Sequence, residues 1–145
     1  MAHLMDVTSR AREFLADLRV RIENHPGVNH LFLNRLATAP FSREDYRVMA
    51  ENHYPLVCVF TSYLELLLLR APDSESKLWL AKVLVDEYGE GSEGKDHAEL
   101  YREYLTACGV GPGEEDRVPL DHRVTGFIRT HLHLTANEPF LVGLG

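Results

Sequence analysis

The sequence predicts an all-α fold. Apolar residues recur at helical spacing through most of the chain, and no hairpin dipeptide sits between alternating apolar residues. Caps and Gly/Pro stops then divide the chain into helix-sized segments. The 145 residues show no internal repeat and no low-complexity tract, so residues 1–145 read as a single helical domain.

The first helix is expected from Val7 to Glu23, with Phe14, Leu15, Leu18 and Ile22 on one face, and "NHPG" at 24–27 ends it. A short helix follows near Asn29–Leu36. Ser42 is a good N-cap, with Asp45 completing a capping-box variant, and opens a long helix running to about Leu69. Pro55 lies inside it and removes one backbone donor. Asp73 or Ser74 caps the next helix, which starts near Lys77, has Leu78, Trp79, Ala81, Leu84 and Val85 as its apolar positions, and reaches Glu87. Helix resumes around Asp96 and continues through Leu105, until "CGVGPGEED" stops it. Another covers roughly Asp121–Leu134. In "TANEPFLVGLG", Thr135 or Asn137 reads as an N-cap, with Pro139 in the first turn of a further helix. Fewer than ten residues then remain, about 1.5 Å of rise each, and a helix that short is marginal alone. The chain therefore reads as cut at the start of an element meant for burial.

Composition narrows the function classes. The chain is 45% hydrophobic and 26% charged, a globular balance, with a formal net charge of −7. That charge opposes binding to nucleic acid or to an anionic membrane. The longest apolar run, "LVCVFTSYLELLLL" at 56–69, falls short of the ~20 residues a membrane span needs and carries Glu65. The N-terminus lacks the apolar region of a secretory signal. Cys58 and Cys108 form no CxxC pair, so a reducing, cytoplasmic setting is expected, with both as small buried hydrophobes.

One stretch breaks the helical pattern. In "VDEYGEGSEGKDHAELYREYL", residues 85–105, Gly89, Gly91 and Gly94 interrupt what is helix at both ends. An unbroken helix would separate Glu87 and His97 by about 15 Å of rise and point them apart. A break there is what a metal ion shared by this carboxylate and imidazole would require, with each donor ~2 Å from the ion. A solvated corner is the competing reading, because Asp86–Glu103 holds seven acidic and two basic residues. An EF-hand fails twice: starting from Asp86, Tyr88 stands at the third position and His97 at the twelfth.

"NHYPLVCVFTSYLELLLLR" followed by "LAKVLVDEYGEGSEGKDHAELYREYLTACGV" resembles the iron-containing redox enzyme family, the heme-oxygenase-like non-heme di-iron oxidases and oxygenases. The motif is a helix ending in "DEYGEG", an "H-x-E-L" helix and a closing "CG". The resemblance implies a heme-oxygenase-like helical bundle, incomplete at its C-terminal side. It places Glu87 and His97 among the metal ligands. A later Glu and a His-x-x-x-Asp-x-x-His set would fall beyond Gly145, and Glu138 is a poor substitute at its helix start. The implied cofactor is iron, as a di-iron centre only part of which lies here, with manganese or zinc as alternatives. The implied activity is O2-dependent oxidation of a small-molecule substrate. The other reading is a non-catalytic helical module, or half of a split enzyme, that completes its bundle as a homo-oligomer or with a second chain over an apolar face at Phe140–Leu144.

Other candidates read as structural first. Cys58, Thr61, Ser62 and Glu65 share a face of the long helix, as a solvent strip or as a polar seam facing a cavity. Glu90 and Glu93 are alternative ligands, Glu93 standing four before His97. His131 and His133 face apart on a helix and suit surface or packing roles. His53 and Tyr54, at the proline, suit packing or a pocket wall.

Overall fold

The computed structural model describes the backbone of residues 2–145 and the side chains of residues 8–145. It is helical throughout, with no strand among the described residues, as the sequence predicts. The helices are α1 (Ala2–Glu23), α2 (Leu31–Thr38), α3 (Arg43–Arg70), α4 (Ser74–Glu87), α5 (His97–Cys108), α6 (His122–Asn137) and α7 (Phe140–Leu144). One 3-10 turn, Glu115–Arg117, was not expected from the sequence. Among the described residues no helix is long and apolar enough to cross a membrane.

The chain divides into two compact units, 1–41 and 42–145. In the first, α1 begins five residues before the expected Val7, a stretch whose side chains lie outside the described ones. Asn24 Nδ2 donates to the Val20 carbonyl at 2.8 Å, and Asn29 Nδ2 to that of Glu23 at 2.6 Å. These bonds satisfy carbonyls that the helix end leaves without a partner. The His30 imidazole caps α2 by accepting from the Phe32 amide at 3.2 Å.

The second unit is organised on α3. Ser42 and Asp45 form a reciprocal capping box at its start: the Asp45 amide donates to Ser42 Oγ at 3.1 Å, and the Ser42 amide to Asp45 Oδ2 at 2.9 Å. Helices α4, α5, α6 and α7 all pack against α3. Two apolar clusters result. Toward the start of α3, Ala50 and Tyr54 bury Leu105, Cys108 and Val110; toward its end, Leu64, Leu67 and Ala71 bury Leu80 and Leu84. Between them lies the stretch of α3 around Pro55–Tyr63.

Three sequence expectations change here. Thr135 is no cap: it lies within α6, 3% exposed, its hydroxyl donating back to the His131 carbonyl at 2.8 Å. Pro139 precedes α7 as its N-cap residue, without a side-chain bond. Cys108 is buried as expected, but Cys58 is exposed.

Candidate metal centre

The break between α4 and α5 folds the chain back on itself. Tyr88 ends α4; the Gly89 amide then donates to the Asp86 carbonyl at 2.9 Å and the Glu90 amide to that of Val85 at 3.2 Å. This pair of bonds is the Schellman stop, which requires a left-handed residue at its centre. Gly89 supplies it with φ of +95°, and a Cβ there would stand 2.3 Å from the Lys95 carbonyl oxygen. Further turns carry the chain to Asp96, whose carboxylate accepts from the Glu99 amide at 2.7 Å and starts α5.

Glu87, the last residue of α4, and His97, the first of α5, therefore meet. His97 Nδ1 and Glu87 Oε2 are 2.5 Å apart, with the carboxylate side chain 13% exposed and the imidazole 44%. The two atoms are in direct polar contact. Both donor atoms are of types that hold a metal ion in proteins, and an ion held by both would take the place of their direct contact. Glu87 also ends a helix with no basic residue in its last turn, where the helix dipole disfavours an anion and a cation offsets it.

The pair opens onto a cavity of about 400 Å³ whose other walls include Leu56, Phe60 and Tyr63 from α3, and Phe127 and His131 from α6. His131 is half-buried, its ring 3.9 Å from that of Phe127 and 5.6 Å from that of Tyr63, centroid to centroid. The i, i+2 argument on His131 and His133 concerns that pair alone and misses this placement, which depends on α6 packing on α3; no local signal marks it. His133 points elsewhere and is exposed. His53 lines the same cavity and its ring lies 5.6 Å from that of Tyr101.

The competing carboxylates do not converge. Glu65 is exposed and accepts a hydrogen bond from the Tyr88 hydroxyl, which holds that phenol above its ordinary pKa. Glu90 and Glu93 are exposed. Among the described residues no group of three or more His, Cys, Asp and Glu could hold a metal ion. Carboxylate oxygen and imidazole nitrogen suit iron in donor chemistry, and the described residues bring two such donors together.

The described residues form an all-α bundle with a carboxylate–imidazole pair at a glycine break beside an apolar cavity, an architecture consistent with a heme-oxygenase-like helical protein. The chain belongs to the iron-containing redox enzyme family, whose sequence model matches residues 47–145. No curated protein matches the chain. The match covers all but the first turn of the central helix and the whole Glu87–His97 turn, and membership points to an iron-dependent oxidoreductase.

Proposed function

We propose that Glu87 and His97 are two ligands of a non-heme di-iron centre that activates O2 to oxidise a small, largely apolar substrate. The observation that carries this reading is the 2.5 Å convergence of the two side chains across the Gly89 turn, in a chain of the iron-containing redox enzyme family. Iron, when bound, supplies the electrons that O2 reduction needs. The chain's own residues would hold the ion at one edge of the cavity, and Leu56, Phe60 and Phe127 give it apolar walls against which an apolar substrate would pack. Glu87, mostly shielded, would supply negative charge to the cation, and His97 a ring-nitrogen donor. The remaining donors come from outside the described residues.

Anaerobic Fe(II) titration of the full chain tests this. Uptake is expected, with at least a tenfold loss of affinity in Glu87→Gln and in His97→Gln. Uptake by both variants equal to that of the wild type overturns the assignment. Competition with Mn(II) and Zn(II) ranks the metals, since intrinsic affinity rises from manganese through iron and places zinc above it.

A second reading rests on a different observation. Leu141, Val142 and Trp79 are 74%, 52% and 64% exposed, an unusual amount of apolar surface around α7 and α4. In this reading the chain is a helical module, or half of a split enzyme, whose bundle and ligand set are completed by a second chain or a second copy. Sedimentation at micromolar concentration decides: a monodisperse monomer defeats it, and assembly with increased iron uptake supports it. The net charge of −7 and the unpaired cysteines favour a cytoplasmic protein that binds neither nucleic acid nor an anionic membrane surface.

A further inference from the structure

His131 lines the cavity that Glu87 and His97 border, but takes no part in their contact. Its Nδ1 lies 3.0 Å from the carbonyl of Phe127, one turn earlier on α6. A carbonyl only accepts, so Nδ1 carries the ring proton and donates it. In the neutral imidazole Nε2 is then left as an acceptor. The ring is held between two others, 3.9 Å from that of Phe127 and 5.6 Å from that of Tyr63, centroid to centroid. Among the described residues Nε2 has no hydrogen-bond partner. It is nonetheless reachable. The Tyr63 hydroxyl is the one buried side-chain N or O atom among the described residues that lacks a partner, so the unpartnered Nε2 of half-buried His131 keeps accessible surface. The other imidazoles of the cavity are placed differently: His97 touches Glu87, and His53 is exposed beside Tyr101.

We infer that His131 Nε2 is the acceptor that orients the substrate, taking a hydrogen bond from a neutral hydroxyl on an otherwise apolar molecule. The class follows from the walls. Leu56, Val57, Phe60 and Phe127 offer apolar side chains to the body of the ligand. An imidazole lone pair selects for a donor. No Lys or Arg is among the described residues lining the cavity, so a carboxylate finds no counter-ion there, and Glu87 repels it. An ammonium loses more hydration than a hydroxyl does, and the carboxylate that would offset the loss is engaged with His97. At about 400 Å³ the cavity has room for a molecule of about ten heavy atoms. The two flanking rings and the Nδ1 bond fix the imidazole beforehand, so binding orders little. This inference rests on the reading of the cavity as the substrate site and names the substrate class; it is independent of whether the metal binds.

The test is NMR titration of the full chain, treated with chelator so that iron plays no part and held near pH 8.5, where imidazoles are ordinarily neutral. The probes are 1-heptanol, which can donate, 2-heptanone, which only accepts, heptanoate and heptylamine. In the wild type, heptanol is expected to bind and to shift the Nε2 resonance of His131, and heptanone to leave that resonance in place. His131→Phe keeps a ring and removes the acceptor. It is expected to lose about tenfold in heptanol affinity, the equivalent of one hydrogen bond, with heptanone affinity unchanged. His131→Gln restores a side-chain acceptor and is expected to bind heptanol more tightly than His131→Phe. A merely structural role would weaken both probes together. Equal loss for the two probes, no heptanol binding by the wild type, an unmoved Nε2 resonance, or a Gln variant no better than the Phe variant each overturns the inference. Tighter binding of heptanoate or heptylamine than of heptanol overturns the neutral-hydroxyl class. Fe(II) titration of His131→Gln should match the wild type, and a tenfold loss there makes His131 a metal ligand and overturns the inference too. A failure of the metal assignment, read in Glu87→Gln and His97→Gln, leaves the heptanol result standing and so stays distinct from a failure here.

Discussion

Gly89→Ala should cost far more than its single added methyl group suggests. At φ of +95° an L-residue is strained, a cost of about 1–2 kcal/mol. The new Cβ would also lie 2.3 Å from the Lys95 carbonyl oxygen and 2.6 Å from its carbon, both backbone atoms that cannot swing aside. Relieving such an overlap costs roughly 1–3 kcal/mol more. The expected total is about 2–5 kcal/mol. Gly94→Ala is the internal control. Its φ is +84°, but a Cβ there meets nothing within 4 Å, so only the first cost applies. Urea denaturation followed by far-ultraviolet circular dichroism measures both. Gly89→Ala should also weaken Fe(II) uptake, because Glu87 and His97 lie two residues before and eight after the displaced turn. If the two variants lose the same stability, the close approach of Gly89 to Lys95 is not what shapes the turn.

Leu80→Ala should lose 2–5 kcal/mol by urea denaturation, since Leu80 is 1% exposed among Leu64, Leu67 and Leu84 and its removal leaves a cavity. Arg70→Met should lose about 2–4 kcal/mol. Its guanidinium donates to the Thr135 carbonyl at 2.5 Å and to that of Glu138, tying the last turn of α6 to the end of α3, and hydrogen–deuterium exchange should rise first in 131–145. Stability should also fall in alkali. Burial, then the neighbouring Tyr104, pushes the Tyr101 phenol from 10.0 to about 12, so the fold prefers its neutral form. That preference is fully present below pH 10 and is lost as pH rises from 10 toward 12. Tyr54, Tyr63 and Tyr104 are raised in the same direction and add to the slope. Urea midpoints at pH 9 and pH 11.5 give the check, and equal midpoints contradict it.

Local chemistry made much of this legible in advance. Ser42 with Asp45, Asp73 and the glycines after Glu87 act within a few residues of themselves, and the structure places caps and a stop at each. The meeting of Glu87 and His97 was readable for the same reason, as ten residues of chain reversal settle it. The misreadings are tertiary. Thr135 has the chemistry of a cap, but Arg70, sixty-five residues earlier, takes its carbonyl and α6 runs on to Asn137. Cys58 sits in an apolar run yet faces outward, because α3 is covered on the sides where its partners lie and not all round. The entry of His131 into the cavity and the solitary state of the Tyr63 hydroxyl arise only when α6 packs on α3, and neither has a signature at short range.

Because α4, α5 and α6 each lean on α3, the unit of residues 42–145 resembles spokes on an axle. Glu87 and His97 belong to two spokes joined by a short hinge, whereas Phe127 and His131 belong to a third that reaches them only through the axle. A guest wedged against the third spoke can therefore widen the chamber without pulling the donor pair apart. Under the proposed assignment, fit to a substrate and grip on an ion would be set by separate parts of the same chain.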